Sequence, residues 1–444
     1  MTENYIQGPR EFPELRAFMK ESIMQHSSLP RVQRDLKGLR EKWKAEKAML
    51  RPFEDTHLLG LLPPRERVDH LVQLYLETFE TIYRIIHIPS FWNEYGRFWE
   101  DPHIARPAFI VILLLMMATV HCISLKEAPS YIGDSSRARE TAVSFIEASE
   151  TWLRRQTNKH LYLGLWQIRC LLPIAKQANT VKKKETWTIV GNLVRQAMSS
   201  GFHRDPVLLG PKVSVFNQQM RRRLWATIVE LDLQASIERG MPSALAALSS
   251  DTTRVSNIDD EDFNENSKQE PSQKPPDEFT YSSFLHVGSN SLPLRISLNT
   301  VLNDLTPHPS YDEVLAYNEQ ITEKLDDIPT FKIPDFKPDT ANLSELPLAL
   351  LDIQLRQYLI LLHGPYARRA ESNPRYHLSK ITCFDASSRI LDYHSKFVAQ
   401  GNYALCVFRN DIFRAALTLC HNAYVSSTMR SKTLPPLPLF PPLN

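Results

Sequence analysis

Three groups of residues in this 444-residue chain have the types and spacing of chemical signatures. His203–Arg204–Asp205 is the triplet of a kinase catalytic loop, in which the Asp accepts a proton from the attacking hydroxyl. That loop also needs an Asn five residues beyond the Asp, and Gly210 stands there; the Gly-rich loop and the DFG are missing too. Asp259–Asp260–Glu261–Asp262 could hold magnesium against a pyrophosphate, as a terpenoid synthase does. Those acids lie in a polar, Pro-rich stretch where no helix would aim them into a cavity, and Pro307 occupies the place where a second motif after Asn303–Asp304 would want Ser. His121 beside Cys122 and Cys420 beside His421 suggest metal ligands, but neighbours on a helix point about 100° apart and each pair needs distant partners. No GxSxG, HExxH, GxGxxG or Walker sequence occurs. The reading therefore assigns no catalytic residue, no metal ligand and no cofactor.

The elements that would position such residues are helices. Only 13 glycines occur, well under the ~7% of ordinary usage, which disfavours hairpin-rich sheets and phosphate loops that need positive φ. The 31 prolines cluster between apolar periodic stretches and at the tail. With 52 Lys+Arg against 50 Asp+Glu, there is no whole-chain basic footprint for nucleic acid. Five cysteines contain no CxxC pair, which argues against a zinc knuckle or redox pair and for reduced thiols in an intracellular protein. The opening MTENYIQGPREF shows no apolar core of a secretory signal. Ala108 to Val120, AFIVILLLMMATV, is 13 residues where a membrane span needs about 20, so it reads as a buried core helix.

The fold class is all-α, an irregular helical superhelix or bundle of about fifteen helices. Residues 1–56 read as a basic N-terminal helical arm: Val32, Leu36, Leu39, Trp43 and Leu50 make a heptad-like stripe interrupted at Glu46. That stripe suits a helix docked on the main body, a dimerisation helix or a phosphate-contacting one. Residues 57–250 form a first helical block and 281–430 a second, with 331–347 an irregular crossing. Between them, 251–280 reads as an acidic disordered linker or exposed loop, because residues 259–278 carry eight acids and almost no apolar side chain. Residues 431–444 are a Pro-rich tail.

Several segments carry a recognisable identity. Residues 62–99 place Tyr75, Phe79, Tyr83, Ile85, His87, Pro89 and Phe91 in the pattern Y-x-x-x-F-x-x-x-Y-x-I-x-H-x-P-x-F. WTIVGNLVRQAMSSGFHRDP (187–206) sets Trp187, Gly201, His203, Arg204 and Asp205 in order, and MRRRLWATIVELDLQASIERGMPSAL (220–245) adds Arg222, Trp225, Asp232, Gly240 and Pro242. With IQLRQYLILLHGPYARRA (353–370), these resemble the fungal-specific transcription factor domain, the middle homology region of fungal zinc-cluster regulators. Met241 stands where that pattern has Arg, and Ala226 replaces its second Trp.

The resemblance implies a nuclear regulator of transcription acting through a small-molecule effector or a partner regulator, as homodimer or heterodimer. It reaches DNA only where an upstream zinc cluster exists, since this chain has no C-x2-C-x6-C. The rival readings are a protein-interaction scaffold or truncated regulator, and an all-α enzyme. Independently of the family, Tyr75, Phe79 and Tyr83 at i, i+4, i+8 read as an aromatic core stripe on one helix. His87 before Ile88–Pro89 reads as a capping residue that ends that helix. Arg221, Arg222 and Arg223 precede the acids of their own helix, against the macrodipole, and so call for tertiary carboxylate partners.

Overall fold

The computed structural model describes residues 28–102, 106–126, 130–156, 162–209, 213–304, 309–332, 341–409 and 411–433, together with Phe18, Glu21, Ser22, Gln25 and His26. The tail from 434, residues 333–340 of the crossing, Gly210, Pro307 and most of the first 27 residues lie outside them. The chain divides into two units, 1–60 and 61–444. Helix α1 (Leu29–Gly60) belongs to the first. Its Val32, Leu36 and Leu39 are exposed, at the 4- and 3-residue steps of the stripe; the side chains of Trp43, Glu46 and Leu50 lie outside the described residues.

The second unit is built around α4 (Pro107–Val120), whose residues from Ala108 to Val120 are all buried. A helix that is apolar on every side must be enclosed, and α4 is walled by α2 (Arg65–Thr78), α5 (Arg137–Arg154) and α6 (Leu163–Ala178). Helix α3 (Ile88–Glu100) follows α2 after a turn, and α7 (Thr186–Ser199) and α8 (Val215–Arg239) pack together and against α6. No helix of the described residues is long and apolar enough to cross a membrane. The one regular strand pair among them is a small hairpin, Tyr131–Ile132 against Ser135–Ser136, whose turn uses Gly133 at φ 59°.

Short helices α9 (Ser283–Gly288) and α10 (Leu292–Leu302) pack on α8 and on the long α12 (Ala341–Ala367). Helix α11 (Tyr311–Asp326) and α13 (His377–Ala399) flank α12; α14 (Ala404–Phe408) and α15 (Asp411–Thr433) complete the C-terminal part. Phe79 stacks on Phe408 of α14 with centroids 4.2 Å apart, joining early and late helices in one core. The molecule is all-α, as the composition implies. The expected irregular crossing is shorter than read: α12 already begins at Ala341 and runs through Pro347.

Two expectations are corrected. Tyr83 is not a third step after Tyr75 and Phe79 on one helix, because α2 ends at Thr78 with Phe79 as its C-cap, and the chain then passes through a tight turn, Phe79–Thr81. The reason is Glu80, whose carboxylate accepts the backbone N–H groups of Ile85 and Ile86 at 2.8 Å each and pulls the chain out of the helix. The acidic segment 251–280 is irregular but not unpacked. Val255, Ile258, Phe263 and Phe279 are buried. Asn257 closes the loop, its amide donating to the carbonyls of Pro275 and Glu278 while its oxygen accepts from Thr280 and Ser283. A composition count misses this because four apolar anchors and one buried amide that closes the segment on itself are enough to hold it.

His363 of α12 shows how tightly the C-terminal helices interlock. It is wholly buried, accepts at Nδ1 from Ser379 Oγ of α13, and donates from Nε2 to Asn318 Oδ1 of α11. Burial pushes its pKa down from 6.5 to about 4, so the folded chain holds it neutral. Between those two values the unfolded chain binds the extra proton, so the contribution is present above pH 6.5 and lost as pH falls towards 4. Comparing urea unfolding at pH 7 and pH 4, the native chain is expected to lose about 3 kcal/mol more than His363→Gln; equal losses would refute the neutral-histidine account.

Candidate functional site

The residues of the first motif converge on a buried ion cluster. Past Glu80 the chain carries Arg84 into the interior, 0% exposed, where its guanidinium donates to Glu80 at 3.1 Å and to Asp260 at 2.5 Å. Arg223 of α8, also 0% exposed, donates to the same Asp260 oxygen at 2.6 Å. The second Asp260 oxygen accepts the N–H of Ile88 at 2.8 Å. Burial alone would raise the Asp260 carboxyl, but the charges of Arg223 and Arg84 outweigh it and hold the group well below the usual carboxylate range. Glu80 is surrounded by donors: Arg84, the two backbone N–H groups and Tyr75 Oη at 3.2 Å.

His87 borders this cluster and caps α3. Its Nδ1 accepts from Ser90 N and Oγ, and Pro89 sits in the same first turn, where a missing N–H costs nothing. Its Nε2 is thereby the protonated nitrogen and reaches the carbonyls of Asp260 at 2.9 Å and Phe263 at 3.1 Å. Burial lowers its pKa more than the Asp260 charge raises it, which keeps the ring neutral. Phe216 and Phe263 pack against it at 5.0 and 4.8 Å between centroids.

The second and third motifs build a companion knot. Gly201, at φ 74°, turns the chain off α7 so that 202–206 runs beside 250–253. Asp251 accepts from Arg204 and from Asp205 N at 2.8 Å each, while the His203 carbonyl receives Asp251 N and Ser250 Oγ. Asp205 accepts from Arg222, from Thr253 N and Oγ1, and from Val207 N. Burial would raise its carboxyl, yet the bonds from Thr253 and Arg222 hold it well below the usual range. Arg222 also meets Glu270 at 2.7 Å. Arg221 stacks over the Phe202 ring at 4.1 Å and donates to the Ser200 carbonyl. Trp225 is buried, with the His203 ring 6.5 Å away.

At the far end of α8, Gly240 caps the helix at φ 61° and the chain folds back, so that Trp187 Nε1 donates to the Pro242 carbonyl at 2.9 Å. Asp232 then accepts Ser243 Oγ and Ala244 N, and its burial raises its carboxyl. The motif positions from Tyr75 to Pro242 thus lie on α2–α3, on α7–α8, in the turns between them or in the turn that follows α8, and the His87 and Asp205 groups both lean on α8. Sequence reasoning missed Glu80, Arg84, Thr253 and the inward turn of Asp260. The usable signal was Arg84 inside the apolar run TIYRIIHI, a charge that must find a buried partner.

Chemically, these carboxylates are occupied. Asp260 faces two guanidiniums and an N–H, and Asp259 meets Lys274 at 2.8 Å, so the acidic run does not present a magnesium face. Among the described residues no group of three or more His, Cys, Asp or Glu side chains is placed to hold a metal ion.

The model of the "Fungal specific transcription factor domain" matches residues 72–325, which spans the ion cluster, both α8 arginine partners and Gly240. The chain belongs to this family. Among curated relatives, transcription factor opdR of Penicillium oxalicum is 30% identical over 84% of this chain and 47% of its own length. Transcription factor lepE of Aspergillus flavus is 28% identical over 82% and 44%, and the Zn(2)-C6 fungal-type transcription factor mpsB of Macrophomina phaseolina 28% over 83% and 51%. The chain spans about half the length of the curated relatives it matches. No solved structure matches it.

Within this fungal transcription factor domain, Asp260 is the residue whose loss should matter most. Asp260→Ala leaves two guanidiniums buried against one carboxylate and is expected to cost about 3–5 kcal/mol in urea unfolding. Glu261→Gln, at an exposed neighbour in the same acidic run, should stay within about 0.5 kcal/mol. Equal effects would mean that Asp260 does not carry the cluster.

Proposed function

We propose that this chain is the regulatory body of a nuclear transcription regulator. The observation that carries the reading is the family match over 72–325, together with relatives that bear the name transcription factor over more than four-fifths of this chain. The helical body controls activity, and DNA is read by a zinc cluster joined to it or carried by a partner. The absence of any CxxC pair from these 444 residues is the reason for placing DNA reading outside them. The exposed steps Val32, Leu36 and Leu39 on α1 favour a helical partner, and a second copy of the chain satisfies them most simply. Control works by biasing the helical packing with a bound effector or partner, each acting only to the extent that it prefers one packing.

The test is to tether the chain to an unrelated DNA-binding module upstream of a reporter in a fungal nucleus. Reporter output is expected to depart from that of the module alone, upwards for an activator and downwards for a repressor. An unchanged reporter from a chain that is folded and present in the nucleus would overturn the reading.

A further inference from the structure

Beside the ion cluster, and using none of its charges, lies a cleft of about 910 Å³. Helix α3 supplies one wall, and the first turns of α4, α6 and α8 supply the others, with Asn264–Asn266 at the rim. Its floor is aromatic and aliphatic: Phe91, Phe98, Phe109, Ile112 and Phe216. All five are buried from bulk water by the helices behind them. The volume lies at the upper end of the ~300–1,000 Å³ range of small-molecule pockets, and an apolar floor with a few polar groups at the edge is how such pockets are built.

The polar edge indicates which ligands fit. Arg106 and Glu94 close a two-pronged pair across the rim, Nε to Oε1 at 2.9 Å and Nη2 to Oε2 at 2.5 Å, so they neutralise one another. Arg97, Asp101 and Glu265 add both signs, leaving the mouth without the excess of cations that a phosphate or carboxylate would need. Beside these mixed charges stand uncharged hydrogen-bonding groups, chiefly the amides of Asn217, Asn264 and Asn266, the side-chain oxygen of Gln167 and the hydroxyl of Tyr162, the Gln167 amide N–H being given to the Ile85 carbonyl at 2.9 Å. We infer that this cleft is a binding site for an uncharged, largely apolar, ring-containing organic molecule that carries hydroxyl or carbonyl groups along one edge. The rings would lie on the phenylalanine floor and the oxygens would face the amides.

Two features tie the cleft to the rest of the domain. His87 is part of its back wall, and the rim asparagines directly follow Phe263, whose carbonyl His87 holds. A molecule in the cleft therefore touches the segment that Asp260 anchors. Gly164 also sets the shape of the site: a Cβ there would come within 2.9 Å of the Tyr162 ring, which is 43% exposed and free to swing away. Glycine at this point lets the tyrosine lie against the cleft. This inference rests on the regulatory reading above and gives that regulation a site and a ligand class.

The test uses the purified full chain and Nile red, an uncharged ring dye, followed by fluorescence. Saturable one-to-one binding is expected. Asn217→Trp, which fills the cleft from the exposed first turn of α8, should weaken it about tenfold or more. Gly164→Ala should weaken it as well, and Asn217→Ser, which removes one rim amide without filling the cleft, should weaken it less than Asn217→Trp. Phe384→Ser controls for a second apolar groove, about 350 Å³ between α13 and α15, and should leave binding unchanged. Unchanged circular dichroism and melting in each variant establish that it is folded. Binding that survives Asn217→Trp but falls with Phe384→Ser, or no saturable binding, would overturn the site. Cleft binding with an unmoved tethered reporter would keep the site and overturn the regulatory reading; a moved reporter without cleft binding would do the reverse.

Discussion

Everything around the family motifs depends on one buried carboxylate shared by two buried guanidiniums. Asp260 binds Arg84 and Arg223, and through Ile88 N it also fixes the start of α3. Taking ions out of water costs several kcal/mol each, and mutual attraction repays it only when the geometry is complete. An apolar replacement of similar shape could be as stable, so the value of the cluster lies in specificity. It dictates where the acidic segment crosses, and with it where Phe263 meets His87 and Phe216.

Helix α8 distributes this constraint. Its three consecutive arginines point about 100° apart on the helix, and each finds a different anchor. Arg221 lies over Phe202, Arg222 holds Asp205 and Glu270, and Arg223 holds Asp260. The turn after α7, the run 250–253 and the acidic segment are thereby stitched to one helix. Moving any one of them exposes or strands a buried charge, so the segments are coupled through α8 rather than independently mobile. The cleft opens against this assembly and shares His87 with it.

The sequence by itself determined the class of fold and much of its punctuation. Few glycines, 3–4 periodicity and an apolar run too short for a bilayer fixed an all-α body with α4 at its centre, because those features are local and each residue reports its own preference. The motif order was legible for the same reason. So was the need of α8's arginines for distant partners, since helix electrostatics gave them none nearby.

What only the tertiary structure decided is which charge meets which. The acidic run read as unpackable because composition counts the cost of burying a carboxylate without knowing whether a guanidinium waits for it; Asp260 and its arginines are 176 and 37 residues apart in sequence. The aromatic stripe was read one step too far because Glu80's grip on Ile85 and Ile86 is a side-chain choice that helix periodicity does not encode. The cleft was invisible for the same reason. Its walls come from α3, α4, α6 and α8, and a volume exists only once these helices are placed.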